Sequence, residues 1–399
     1  MTGLSNWFSQ LFSVSLFSLR SIPARKGSAI SAAVGIAGVV AVLVGVLAIA
    51  EGFRKTMTSA ATPGVAIVLR TGAENEMTSG ITRDETRIIS DAPEVARNAE
   101  GPLASAELFV IINLPKRSTG TDANVPLRGV QSAGFEVRGN VKMLQGRRFE
   151  SGKNEIIVGA GAAREFSGLD LGSQLKIGQN TWEVVGIFST DGGISDSEIW
   201  TDAAVLQPAY NRGTTFQSVY VKLKSDSDFQ AFKDGLTKNP ELKTKVKPLS
   251  EFYADQSEML SGFITGFGVF ISVMMAFGAL FGALNTMYSA VSSRTREIAT
   301  LRALGFSSMP VIFSVLAESL ALSLFGGIIG AAGAYFAFDG YQAATMNFQT
   351  FSQVTFAFAV TPKLLVVAII TAAILGLLGG FFPAIRAARL PIASALRDS

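Results

Sequence analysis

Few residue types are available here for chemistry. Neither histidine nor cysteine occurs among the 399 residues. This removes Cys/His metal sites, thiol chemistry, disulfides and imidazole bases, and leaves an enzyme only carboxylate, Ser/Lys or Tyr chemistry. No stretch assembles a nucleophile, a base and an oxyanion site. Gly146 to Lys153 (GRRFESGK) nearly spells a phosphate loop, but its spacing is one residue off and Asn154 stands where Ser or Thr is needed. Asp191-Gly192-Gly193 with Asp196 lacks the alternating ligand spacing of a calcium loop and reads as a solvated turn. The expectation is a non-catalytic chain with no catalytic residues, no bound cofactor and no metal site.

The segment with functional content is Ser293 to Phe306 (SRTREIATLRALGF). Ile298 and Leu301 share a helical face, Arg294, Arg296, Glu297 and Arg302 surround them, and Gly305 is placed to stop the helix. A short charged knob of this kind can dock in a groove on a partner. A basic stop-transfer loop would explain the arginines but neither the ordered apolar face nor the glycine stop. Glu318 lies inside an apolar span, where a charge costs roughly 2.5–3.5 kcal/mol at mid-membrane. Two roles stay open for it: a coupling contact to the arginine-rich knob, or a structural cap facing the bundle interior.

Membrane spans must hold these residues. A bilayer core of ~30 Å takes about 20 helical residues, and four apolar stretches reach that length: 27–50, 259–292, 309–338 and 363–385. Arg20, Arg25 and Lys26, then Arg294, Arg296 and Arg302, then Arg386, Arg389 and Arg397 flank them. Retention of such residues in the cytoplasm predicts that both termini and segment 293–306 are cytoplasmic, with 51–258 and the loop 339–362 outside. The chain is 48% hydrophobic and 16% charged, with a mean hydropathy of +0.37. A soluble chain carries about a quarter charged residues. Net charge is only +3, and the basic residues sit at span ends, so their neighbour is the lipid bilayer and not nucleic acid. The first span exceeds the ~7–15 apolar residues of a signal peptide and is read as a retained anchor. Before it, residues 1–26 place Leu4, Trp7, Phe8, Leu11 and Phe12 at near-helical spacing, which suits a cytoplasmic interfacial helix. Residues 386–399 form a cytoplasmic tail.

The predicted fold class is therefore an α-helical membrane protein with four transmembrane helices in a 1+3 order and a large α+β extracytoplasmic domain between the first and second. Within that domain Val65 to Arg70 and Glu107 to Leu114 read as strands around a short helix opened by a Thr82/Glu85 capping box. Phe216 to Lys224, a helix carrying Phe229, Phe232 and Leu236, and Leu242 to Val246 repeat that order. The two halves, about 60–114 and 216–250, flank a mostly β insert over about 115–215. There Asn154 to Val158 is a strand before a short Ala162 to Phe166 helix, and Leu175 to Ile177 with Thr181 to Phe188 forms a hairpin. From Leu249 to Ser293 no proline interrupts the pattern, so residues 249–260 extend the second span as a stalk; a break at Ser261-Gly262 is the alternative. Gly278 and Gly282 in the second span and Gly326, Gly327 and Gly330 in the third are expected to pack helices closely.

Three motifs carry a family likeness: NTMYSAVSSRTREIATLRALGF at Asn285 to Phe306, ESLALSLFGGIIG at Glu318 to Gly330, and PAIRAARLPIASALR at Pro383 to Arg397. In this order, with this topology, the chain resembles the MacB, FtsX and LolC-type ABC transporter permeases of the mechanotransmission superfamily, and among them MacB-like exporter permeases. The resemblance implies a bacterial inner-membrane protein with a split βαβ porter-like unit outside. It implies a coupling helix at Arg294 to Leu304 that receives the stroke of a cytoplasmic ABC ATPase on a separate chain, which binds ATP and Mg. It also implies a second permease copy, forming a homodimer, and a periplasmic adaptor protein for export of a cargo. An FtsX-like signalling permease regulating a cell-wall hydrolase and a LolC-like lipoprotein-release permease are the alternatives. Leu390-Pro391-Ile392 departs from the common Asp-Pro pair of the tail, and MacB itself has its ATPase fused before the first span.

Overall fold

The structure, a computed structural model, describes residues 26–59 and 62–392. The expected interfacial helix before Lys26 and the tail beyond Ile392 lie outside the described residues. Helix α1 (Lys26–Ser59) is followed by β1 (Val65–Arg70), β2 (Ile81–Thr82), α2 (Arg83–Ser90), β3 (Arg97–Asn98), β4 (Gly101–Pro102) and β5 (Ala104–Pro115). Next come β6 (Asp122–Val130), α3 (Gly134–Arg138), β7 (Lys142–Gly146), β8 (Glu155–Gly159), α4 (Ala160–Glu165), β9 (Gln174–Ile177), β10 (Asn180–Ser189), β11 (Ile199–Asp202) and α5 (Ala203–Ala209). The chain then returns through β12 (Thr215–Phe216), β13 (Ser218–Lys222), α6 (Phe229–Lys238) and β14 (Thr244–Pro248). It ends in α7 (Leu249–Ser292), α8 (Thr295–Ala303), α9 (Ser308–Phe338), β15 (Gln342–Asn347), β16 (Ser352–Ala357) and α10 (Pro362–Ala388). These elements form two compact units, a helical one that takes in residues 26–50, Phe263–Asp339 and 359–392, and an α/β one made of Glu51–Gly262 and Gly340–Phe358.

In the helical unit, α1, α7, α9 and α10 are long and apolar enough to cross a membrane. Small residues set how they meet. A methyl group built on Gly326 or Gly330 of α9 would land on the carbonyl of Ala33 or Ala37 in α1, and one on Gly327 would meet Ala372 of α10. The same closeness lets the Ser319 hydroxyl donate to the Gly376 carbonyl at 2.6 Å. Without a hydrophobic drive between helices in lipid, this backbone approach is what dispersion and inter-helix hydrogen bonds require. Gly278 and Gly282 differ from the expectation: a methyl on either meets nothing within 4 Å. They lie with Asn285 and Ser289 on an exposed stripe of α7. Helix α7 is continuous over its 44 residues, about 66 Å at 1.5 Å per residue, and has no interruption at Ser261-Gly262.

In the α/β unit, strands β14-β1-β13-β5 lie side by side, all antiparallel, with Val65 opposite Lys222 and Ala66 opposite Pro248. This is the order of two interleaved βαβ units, with α2 packed along β13 and α6 along β14. The capping box is present: Thr82 accepts from the Glu85 N–H while the Glu85 carboxylate accepts from the Thr82 N–H. The insert does not form a separate sheet. β5 pairs with β13 through Ala104–Glu107 and with β6 from Leu108 onward, so one ten-stranded sheet continues through β6-β11-β8-β10-β7. Its core holds Leu108, Leu127, Ile156, Phe166, Trp182 and Val219, all at most 1% exposed, and full burial of one such large apolar side chain contributes ~1.5–3 kcal/mol. The segment expected as an external loop, 339–362, carries the β15–β16 hairpin, which belongs to this unit.

Candidate functional site

The knob at residues 293–306 is built as helix α8 between α7 and α9. Gly305 ends it with φ +95°, a left-handed conformation that favours glycine. The Gly305 N–H donates to the Arg302 carbonyl and the Phe306 N–H to that of Leu301. Ile298 is only 8% exposed and packs among Met287, Val291, Val311, Val315, Ala384 and Ala387, so it grips α7, α9 and α10. The apolar face that sequence reasoning took as a docking surface thus faces inward, because the nearest apolar surface is the chain's own bundle. Leu301 and Arg302 are half-buried, while Arg296, Glu297, Thr300, Ala303 and Leu304 face out, Leu304 being 72% exposed.

Two polar links reinforce the inward face. Arg294 Nη1 donates to Glu318 Oε2 at 3.1 Å, and its Nε lies 3.4 Å from Glu297. The Glu318 side chain is 4% exposed, about ten residues along α9 and beside a cavity of about 40 Å³ lined by Met287, Val291, Ile298, Val311 and Ser314. Glu318 thus touches the knob through Arg294 and is at the same time buried in the bundle, an arrangement that fits both roles left open for it. Arg302 Nη1 donates to the Leu390 carbonyl at 2.8 Å, just past the end of α10, where a cation complements the helix dipole. The predicted residues Arg294, Ile298, Arg302 and Gly305 therefore assemble a clamp, whereas Arg296 and Glu297 remain available at the surface.

Sequence reasoning missed a second polar assembly, in the α/β unit. The Arg128 guanidinium, 1% exposed, makes Nη1 and Nη2 bonds to both oxygens of Glu76 at 2.7 and 2.9 Å, Nε and Nη2 bonds to both oxygens of Glu198 at 3.0 and 2.8 Å, and one to Glu107 at 3.0 Å. Arg138 grips Glu107 from the other side at 2.6 and 2.7 Å. Arg128 also stacks over Phe109 at 4.9 Å and Arg138 over Tyr220 at 4.2 Å. Burial alone would raise the Glu76 carboxyl, but Arg128, with Ser218 donating, outweighs it and holds the group below its ordinary value. The assembly sits where β5 passes from β13 to β6. The signal was a lone charge within each of two apolar strands, Glu107 in SAELFVII and Arg128 in PLRGV, since buried charges must pair.

The rejected phosphate-loop look-alike is spoken for internally. Arg147 forks onto Glu155 with two bonds of 2.7 Å, and the Gly152 N–H donates to Asp202. The Arg147 bonds pull the Glu155 carboxyl down to about 2. Asp196, in the turn after Gly193, accepts from Ser189, from the Thr190 N–H and hydroxyl, and from Gly192. Among the described residues no group of His, Cys, Asp and Glu is arranged to hold a metal ion.

Comparison with known proteins gives two family matches, a MacB-like periplasmic core domain over residues 29–239 and an FtsX-like permease C-terminal region over residues 269–392. The chain is 23% identical over 382 residues to the macrolide export ATP-binding/permease protein MacB of Escherichia coli, covering 90% of this chain and 56% of that protein. It is 24% identical over 400 residues to MacB 1/2 of Paracoccus denitrificans, covering 95% and 58%. It thus spans little more than half the length of these relatives. Among solved structures, the periplasmic region of MacB from Actinobacillus actinomycetemcomitans matches at 11% identity and TM-score 0.38, covering 48% of this chain and 92% of that one. The extracellular domain of the ABC-type transporter YknZ from Gram-positive bacteria matches at 18% identity and TM-score 0.35, covering 46% and 99%.

Proposed function

Because the chain belongs to the family that joins a MacB-like periplasmic core domain to an FtsX-like permease region, we propose that it is the permease of an ATP-driven exporter in which an ATPase drives α8 and the motion reaches the periplasmic domain. It is a multi-pass protein of the bacterial inner membrane. The span-end arginines support cytoplasmic termini and a cytoplasmic α8. The observation that carries the reading is the two-sidedness of α8. One side is fastened to the bundle by Ile298, Arg294–Glu318 and Arg302–Leu390, and the other offers Arg296, Thr300, Ala303 and Leu304 at helical spacing. A helix fastened on one side transmits a push on the other.

The ATPase, with its ATP and Mg, lies outside these 399 residues, since they contain no phosphate loop. The stripe Gly278, Gly282, Asn285 and Ser289 on α7 suits a second copy: GxxxG spacing allows close approach, and Asn285 gains a polar neighbour in lipid. A periplasmic adaptor would receive the cargo. The test is Leu304→Asp in the membrane-assembled complex. The ATPase is expected to dissociate while the chain still inserts and folds; retained association would move docking off this stripe. Co-purification of a cell-wall hydrolase in place of an adaptor would replace export with signalling.

A further inference from the structure

We propose that the β15–β16 hairpin is a second transmission element, with Ser197 and Thr355 as its positioning residues; this rests on the ATPase-driven reading of α8 above. The hairpin is the direct continuation of α9 and α10, the two helices that Arg294–Glu318 and Arg302–Leu390 tie to α8. Only Asp339–Tyr341 separates α9 from β15, and only Phe358–Thr361 separates β16 from α10. Both short joints are hydrogen-bonded. The Val360 N–H donates to the Asp339 carboxylate at 3.0 Å, the Gly340 N–H to the Phe358 carbonyl at 3.0 Å, and the Phe358 N–H to the Tyr341 carbonyl at 2.8 Å. A connection that merely closed a helical hairpin would not need this.

The hairpin is also locked into the α/β unit along its whole length. The Thr355 N–H donates to the Ser197 hydroxyl at 2.9 Å, and the two hydroxyls lie 2.9 Å apart. At the turn, Asn124 donates to the Phe351 carbonyl at 2.6 Å and Asn75 to that of Gln349 at 3.2 Å. Phe351 is held at φ +53°, unusual for a bulky side chain, so the docked turn is over-determined by its partners. Asn347 donates to Gln256 of the α7 stalk at 3.3 Å, and Phe356 meets Phe53 of the α1 stalk edge to face at 5.7 Å. Gly161 allows the contact to close, because a methyl there would land on Thr355 Oγ1. Motion of α9 and α10 therefore reaches, along the chain itself, a hairpin that is bonded to Ser197 and Asn124 of the insert as well as to Gln256 of α7.

The absence of cysteine allows a clean test. The full chain, complexed with its ATPase in nanodiscs, is followed by hydrogen exchange with and without a non-hydrolysable ATP analogue and Mg. In the wild type, α8 and the insert strands β7 and β10 are both expected to change on nucleotide binding. In Ser197→Ala/Thr355→Val, α8 should keep its response while that of β7 and β10 falls by more than half. Thr355→Ser, which keeps the hydroxyl, should restore it. A Ser197→Cys/Thr355→Cys disulfide should leave both responses intact, because the hairpin stays docked throughout. A full insert response in the unfastened variant, or its loss in the disulfide-locked one, overturns the proposal. A wild type in which α8 itself does not respond overturns the ATPase-driven reading and this one with it.

Discussion

Replacing Arg128 with Met should unfold the α/β unit at markedly lower temperature and reverse its pH dependence. The guanidinium neutralises Glu76 and Glu198 and shares Glu107 with Arg138. Methionine roughly fills its volume but leaves three carboxylates facing one cation. Breaking a buried ion pair costs ~3–5 kcal/mol, and one kcal/mol moves the midpoint of a domain of 150–250 residues by about 2–4 °C, so a fall of about 6–20 °C is expected. Trp182 and Trp200 are both buried in this unit, and their fluorescence during a thermal ramp of the full chain reports its unfolding. In the wild type Glu76 is held below its ordinary value. Its contribution is therefore present above about pH 4.5 and lost as pH falls through the folded value. Without Arg128, only the Ser218 hydroxyl and the Arg138 charge still oppose burial, the largest influence on that carboxyl, which therefore rises, so the variant should gain stability as pH drops from 7.5 towards 5. Adding Glu76→Gln and Glu198→Gln should recover more than half of the loss at neutral pH, since an uncharged assembly avoids the unpaired ions. A midpoint within 2 °C of the wild type, or the same pH slope in both proteins, refutes this account.

Three further outcomes are expected. Gly326→Leu should prevent assembly of the helical unit, because its side chain has nowhere to go but the Ala33 backbone, whereas Gly278→Leu should fold normally and lose self-association, read by cross-linking in membranes. Glu318→Gln should cost about 1–3 kcal/mol by removing the buried one of Arg294's two carboxylate neighbours, and Arg294→Gln combined with it should recover part of that in a double-mutant cycle of thermal midpoints. The Glu155 carboxyl, at about 2 when folded against an ordinary 4.5, should supply stability that is complete above pH 4.5 and disappears between there and pH 2. Arg147→Gln should flatten that part of the acid-unfolding curve.

The spans and outer strands were readable because their signals are local. A run of apolar residues long enough to cross lipid needs no partner to be recognised, and Val65–Arg70 and the Thr82/Glu85 cap declare themselves within a few residues. What was not readable depends on distant neighbours. β6 (DANVPLRGV) falls within the expected β insert but is not singled out as a strand, since Pro126 and Arg128 argue against a central strand until Glu76 and Glu198 are known to surround the arginine. The hairpin alternates too weakly to announce itself, and its partners Asn124 and Ser197 lie more than 150 residues earlier. In α8 the sequence identified a helix, its stop and its apolar face, but not that its own bundle would claim that face.

The hairpin's place in the chain also sets the order in which the protein can be finished. Thr350, Ser352 and Val354 close a cavity of about 10 Å³ beside Glu76, Arg128 and Glu198, yet they are synthesised after α9, some 130 residues beyond β13. At ~5–20 residues per second the ribosome delivers them roughly 7 to 26 s after β13 has been made. Until then the charge junction lacks part of its cover. A nascent chain whose third span fails to insert leaves the hairpin on the wrong side of the membrane, and the charge junction then stays without this part of its cover. Correct topology is thereby a condition for the maturity of a domain that contains no membrane span of its own.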